Sequence, residues 1–320
     1  MKLFKNSKFV KTSLLAITSM SLLFTACGSN GDGGENGNGG ASTEISGSIE
    51  ADGSSTVYPI TEAIAEEFQI ANPDSRVTVG MSGTGGGFKR FTVGETDISN
   101  ASREIKDEEK AEAEKNGVEY TKFDVAYDGI SIVVSKDNEF IEDITAEELK
   151  KIWEPNSTVK TWQDVRADWP AEPVKLYGPG TDSGTFDYFT EEIMGEGGAS
   201  RTDYTASEDD NVLVQGIMAD KNAMGYFGYA YYLENQDKLK LVSVNGIAPN
   251  NETIQSGEYA PLSRPIYIYV SNNSIKEKPQ VRAFVETYLD LAKDIVGDVG
   301  YIALEDSAYE EGKATLEAIK

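Results

Sequence analysis

Three times the chain passes from a strand signal through glycine, serine and threonine into a helix signal. The segments are DGSSTVYP (residues 52–59), GMSGTGGGF (80–88) and GPGTDSGTF (178–186). In the first, Pro59 suits the opening turn of a helix over residues 59–71 that places Ile60, Ile64 and Phe68 on one face. Further strands are expected at RVTVGMSG, DISNAS, VKLYG, AMGYFGYA, KLKLVSV and PIYIYVS. Helices are expected around residues 88–91, 106–116, 145–153, 183–194 and 210–220, with amphipathic helices after residue 271. The alternation argues for parallel sheets flanked by helices, an α/β class. FDVAYDGISIVVS (residues 123–135) is too long for an ordinary strand of five or six residues, and is expected to cross between two lobes.

At each of the three segments glycine lets the backbone approach a ligand, and the first helical turn presents amide hydrogens that the chain itself cannot satisfy. Those donors and the helix dipole favour an anion, and serine and threonine hydroxyls add to them. The same residues have a plainer use, since serine and threonine are ordinary helix caps and glycines ordinary loop residues. Strand ends and helix starts share one side of such a sheet, and that is where ligands bind. GTGGGFK lacks the Gly-Lys-Ser/Thr ending of a P-loop, which argues against a nucleotide.

The 320 residues contain no histidine and one cysteine, Cys27. The usual serine or cysteine hydrolase needs an imidazole, so Ser183 in TDSGT is not read as a nucleophile. Zinc sites lack their ligands, and no metal or cofactor is expected.

Lys2, Lys5, Lys8 and Lys11 precede the apolar stretch TSLLAITSMSLLFTA, which reads as an export leader over residues 1–26, too short to span a bilayer. FTAC resembles a bacterial lipobox with Cys27 as the acylated residue, although Phe24 replaces the usual aliphatic residue; the alternative is an ordinary leader and a free thiol. Residues 27–44, rich in glycine and asparagine, read as a flexible tether. The net charge is −25, and without the leader's four lysines 25 basic residues face 54 acidic ones, a net charge of −29. Such a surface excludes nucleic acid as a partner. It does not exclude an anionic ligand, because charges more than about 8 Å apart are largely screened at physiological salt.

GSSTVYPI, SGTGGGFKRF, DISNASREI, AYDGISIVV and GPGTDSGTFDYF, followed by DDNVLVQGI and MGYFGYAYY, resemble in this order the phosphate-binding lipoproteins of phosphate-specific ABC transporters, the PstS type. The resemblance runs from about residue 49 to the end. It implies a two-lobed periplasmic-binding-protein-like fold of type II, with the ligand in an interlobe cleft and a hinge of two crossing strands, near Tyr127 to Gly129 and residues 257–265. Lobe 1 would comprise residues 45–128 and 260–320, and lobe 2 residues 129–259. The implied partners are inorganic phosphate, a membrane permease with its ATPase, and the membrane through the lipid anchor, for a monomeric receptor without enzymatic activity.

The resemblance also implies ligand contacts at Ser55 and Thr56, with Ser54 beside them; at Thr84, with Ser82 and Gly83 nearby; and at Ser183, Gly184 and Thr185. Where familiar members carry an arginine four residues before the serine of Ser-Gly-Thr, this chain has Pro179. Where they carry an aspartate after Ala-Ser, it has Arg103. The cation is thereby expected at Arg103, and the carboxylate that accepts the phosphate proton at Asp128 or, second, Asp182. Asp128 also suits an Asp-Gly turn, and Arg103 also suits pairing with Glu104 or Asp107. Alternatives to phosphate are another oxoanion, such as sulfate or molybdate, or a secreted phosphoesterase. One charge-assisted hydrogen bond nets about 1.5–3 kcal/mol. A micromolar site needs about 8 kcal/mol, so several neutral donors and one arginine suffice.

Overall fold

The first half of the fold follows the order strand, loop, helix three times. The computed structural model describes residues 45–181 and 183–320. The expected leader, Cys27 and the tether, together with Asp182, lie outside the described residues. β1 (Gly47–Gly53), α1 (Tyr58–Ala71), β2 (Ser75–Val79), α2 (Gly83–Phe91), β3 (Ile98–Ala101) and α3 (Asp107–Lys115) lead into β4 (Tyr120–Ser135). A second series follows: β5 (Asp143–Ile144), α4 (Ala146–Trp153), β6 (Lys175–Gly178), α5 (Gly184–Met194), β7 (Thr205–Ala206), α6 (Asp210–Met218), β8 (Ala223–Gly228), α7 (Tyr229–Asn235), β9 (Leu239–Val244) and α8 (Asn251–Gln255). β10 (Ser263–Ser271), α9 (Asn272–Glu277), α10 (Pro279–Asp298), β11 (Ile302–Ala303) and α11 (Asp306–Ala318) complete it.

Strand order is β2-β1-β3-β10-β4-β8-β6-β7, and β9 also pairs with β4. β1 lies parallel to β2 and β3, and β6 parallel to β7 and β8, as the alternation predicts. β10 and β4 are antiparallel to each other and to their other neighbours, so the sheet is mixed rather than wholly parallel.

β4 is the shared member. Residues 120–129 pair with β10, and residues 130–135 pair with β8 and β9. The two larger of four buried clusters form on either side of that division. In the first, Ile60, Ile64 and Phe68 of α1 meet Phe284 and Tyr288 of α10, with Phe68 edge-on to Phe284 at 5.3 Å. In the second, Trp153, Phe189 and Tyr226 meet, Phe189 stacking on Tyr226 at 3.9 Å. Ala126 belongs to the first core, Ile130 to the second, and Tyr127 touches both. The run ISIVV, apolar except for Ser131, is continuously buried because both faces of that part of β4 are covered. The fold is thus two lobes of α/β structure joined where β4 and the start of β10 cross.

Some local expectations fail for identifiable reasons. α2 starts at Gly83, five residues before the expected helix, although four of its first five residues are glycine. Packing overrides their poor helix propensity: a Cβ on Gly87 would lie 2.5 Å from Gly53 Cα and 2.9 Å from the Asp52 carbonyl oxygen. α7 continues directly from β8, and the polar stretch after β9 contains α8, whose start is capped by Asn250.

Candidate anion site

The three segments singled out in the sequence converge, each in a different condition. In the first, Gly53 has φ 140°, and a Cβ there would lie 2.2 Å from the Asn100 carbonyl oxygen. The Ser54 amide donates to that carbonyl at 2.9 Å, and the Ser54 hydroxyl oxygen accepts the Thr56 amide at 3.2 Å. Both side chains are buried. Val57, in the N-cap position of α1, gives that helix no side-chain cap.

Asp52 joins the first segment to the second. Its carboxylate accepts the amides of Gly53 at 2.8 Å and Ser82 at 3.1 Å, and the Arg90 guanidinium. Burial pushes its pKa up, but these hydrogen bonds outweigh burial and hold it below the ordinary aspartate value. α2 also lacks a side-chain cap, so the amides of its first turn are free of such a partner. Thr84 Oγ1 accepts the Ser102 amide at 3.2 Å and lies 2.9 Å from Ser102 Oγ.

The third segment arrives from the other lobe. Ser183 caps α5, its hydroxyl oxygen accepting the Thr185 amide at 3.2 Å. That is the role of the Ser-Gly-Thr sequence in this structure. The Gly184 carbonyl accepts Thr56 Oγ1 at 3.3 Å, and Ser55 Oγ donates to Asp187 at 2.9 Å. The two lobes touch through these bonds. Their approach requires glycine at 184, where a Cβ would lie 2.7 Å from both Thr56 Cα and Thr56 N.

A cavity of about 320 Å³ sits beside this contact. Ser54, Ser55, Thr56, Gly83, Thr84 and Arg103 line it from one lobe; Asp187, Tyr188 and Glu191 line it from α5; Arg264 lines it from β10. Of the expected residues, Ser183, Gly184 and Thr185 do not line this cavity; Gly184 adjoins it through Thr56. Ser82 lines a separate groove with Lys89 and Arg90, its amide already bound to Asp52. Arg103 lines the cavity and also holds Glu109 by two hydrogen bonds of 2.9 Å, with a third to the Glu104 carbonyl at 3.0 Å. Its carboxylate partner is therefore Glu109 rather than Glu104 or Asp107, the two acids expected from the sequence.

Asp128 is buried and stands behind Arg264 rather than on the cavity wall. Burial pushes its carboxyl up to about 6, against the opposing pull of Arg264. Arg264 itself was not anticipated. Its Nη2 donates to Thr56 Oγ1 at 3.1 Å, its guanidinium lies 3.4 Å from the centre of the Tyr188 ring, and Nη1 is 3.9 Å from Glu191. The available signal was an arginine just before an apolar strand, opposite an aspartate in the other crossing strand. Only the strand register brings the two together. Asp187, Tyr188 and Glu191 were also missed: residues 183–194 read only as a helix, and nothing local shows that these three side chains close the cavity.

Comparison with known proteins identifies the family of the fold. The family model described as a PBP superfamily domain matches residues 38–290. The phosphate-binding protein PstS of Staphylococcus saprophyticus is 42% identical over 304 residues, covering 93% of this chain and 91% of its own. Protein SphX of Synechocystis is 47% identical over 274 residues, covering 84% and 82%. The crystal structure of a possible phosphate-binding protein from Planctomyces limnophilus superposes with a TM-score of 0.83 at 46% identity, covering 86% of this chain and 99% of that one. The chain belongs to the PBP superfamily and, within it, to the family of the PstS phosphate-binding proteins.

Proposed function

We propose that the protein is an extracytoplasmic receptor that captures inorganic phosphate between its lobes and delivers it to an ABC importer. One observation carries the reading: a cavity of about 320 Å³ is walled by hydroxyls and helix-start amides of one lobe, by α5 of the other, and by an arginine at the crossing between them. The names of the relatives point to the same ligand.

Ser55, Thr56, Gly83 and Thr84 supply neutral donors, Arg103 and Arg264 supply charge, and Ser54 holds the first loop in place. Ser183, Gly184 and Thr185 form the closing edge, and Ser82 anchors the second loop through Asp52. Donors of one lobe and the acidic wall of α5 in the other, bridged by Arg264, make the closed form the one that phosphate favours. The carboxylate that accepts the phosphate proton is Asp187, which lines the cavity; Asp128 does not. An acceptor there suits hydrogen phosphate and opposes sulfate, which has no proton to give. The receptor is monomeric, carries its lipid on Cys27, and performs no chemistry: the Ser183 hydroxyl oxygen is occupied as a helix cap.

Calorimetric titration of the full chain with phosphate, with sulfate as competitor, tests the reading. Phosphate is expected to bind at micromolar concentration or tighter, and sulfate to compete poorly at pH 6 and pH 8. Absence of phosphate binding, or turnover of a phosphate ester by the purified protein, contradicts it.

A further inference from the structure

Asp128 and Arg264 face each other directly in the antiparallel ladder of β4 and β10. They do so at the point where the polypeptide leaves one core for the other. Their nearest charged atoms, Asp128 Oδ2 and Arg264 Nε, are 3.5 Å apart. Both atoms are buried and neither has a hydrogen-bond partner among the described residues. The other end of the guanidinium is held at the cavity by Thr56 and the face of Tyr188. Arg264 therefore has one edge toward a buried carboxylate and the other toward the space in which an anion would sit.

We propose that Arg264 is shared between Asp128 and the bound anion, so that capture of phosphate draws its charge away from Asp128 and Asp128 takes up one proton from solvent. This rests on the phosphate-receptor reading above. Two anionic groups on opposite edges of one buried guanidinium cannot both stay ionised without strong mutual destabilisation. Phosphate is solvated by the hydroxyls and amides of the first two segments and by Arg103, whereas among the described residues Asp128 has Arg264 alone. Asp128 is the group that yields.

The other groups facing Asp128 do not relieve it. Tyr188 of α5 donates its hydroxyl to the Pro261 carbonyl, and burial raises its pKa further above the ordinary tyrosine value. Tyr301, before β11, is likewise raised by burial and by Asp128 itself. Glu191 approaches Arg264 from the cavity side and adds negative charge. Burial already places the Asp128 carboxyl at about 6 without an anion, and an anion can only move it higher. Asp128 is thus a positioning residue that sets how strongly Arg264 is available to the ligand, and the crossing strands carry the coupling.

The test compares the full-length wild type with Asp128→Asn, which mimics the protonated side chain at constant size. Phosphate affinity is measured by calorimetry from pH 5 to pH 8, in buffers of different ionisation enthalpy. The ionisation of phosphate itself affects both proteins equally and cancels in the ratio of their affinities. That ratio is expected to be near one at pH 5, where wild-type Asp128 is already protonated. At pH 7 a carboxyl titrating at about 6 is about nine-tenths ionised, so the variant should bind about tenfold more tightly. The wild type should then take up to about 0.9 proton more than the variant. A ratio that stays constant across the range, or equal proton counts, overturns the proposal. Should Asp128→Asn not fold, a difference infrared spectrum of the wild type at pH 7 replaces it: phosphate should produce a new protonated-carboxyl band, and its absence overturns the proposal. A wild type that binds no phosphate at any pH overturns the receptor reading instead.

Discussion

Gly184→Ala probes lobe contact at a single atom. The added Cβ would lie 2.7 Å from Thr56 Cα and N and 2.9 Å from the Ser55 carbonyl carbon, all backbone atoms that cannot rotate away. Carbon atoms rest about 3.5 Å apart, so the two loops must separate by about 0.8 Å. The bond from Thr56 Oγ1 to the Gly184 carbonyl, already 3.3 Å long, does not survive that separation. Overpacking of this kind costs about 1–3 kcal/mol in a rigid core. Here opening of the lobes relieves it, so the cost falls on the closed, liganded form. Phosphate affinity should drop by about 5- to 150-fold, while the melting temperature without ligand stays within about 2 °C of wild type. Calorimetry and thermal unfolding measure the two quantities. Gly225→Ala serves as the contrast, because its Cβ would meet Ile217 Cδ1 at 2.5 Å and the Tyr177 carbonyl oxygen at 2.6 Å inside one lobe. That variant should lose melting temperature. Unchanged affinity in Gly184→Ala, or a melting loss as large as that of Gly225→Ala, would refute the reasoning.

Arg103→Ala should weaken phosphate binding at least tenfold in the same titration, and near wild-type affinity would remove Arg103 from the site. Asp187→Asn should narrow the preference for phosphate over sulfate by at least tenfold in competition experiments, since it removes the proton acceptor on the wall. Asp52, held below its ordinary pKa, contributes stability that is present above the unfolded aspartate value and lost as pH falls through its folded value. Asp52→Asn should therefore be less stable than wild type at pH 7, with denaturant curves that converge in strong acid; a gap that persists there would mean the loss is not electrostatic.

What the sequence disclosed follows the range of the forces involved. α1 was legible because Ile60, Ile64 and Phe68 repeat at helical spacing behind Pro59, and β4 because sixteen residues of strand leave a long apolar trace. The helix starts near Ser55 and Ser183 were legible as glycine and hydroxyl clusters, since backbone approach and capping are local demands. The helical start of α2 was not, because Gly87 is helical only through contact with Gly53 and Asp52, residues of another element. Arg264 was hidden for the same reason. Its meaning comes from register with Asp128 and from the ring of Tyr188, contacts made across long sequence separations. Arg103 was found, but its partner Glu109 was not, because that pairing depends on where α3 begins.

The most direct test of the account is a crystal structure of the protein grown with orthophosphate. One phosphate is expected in the cavity between Thr56, Thr84 and Asp187, with Arg264 turned toward it. Phosphate bound elsewhere on the surface, with that cavity closed to it, would contradict the claim that groups of both lobes converge on one oxyanion.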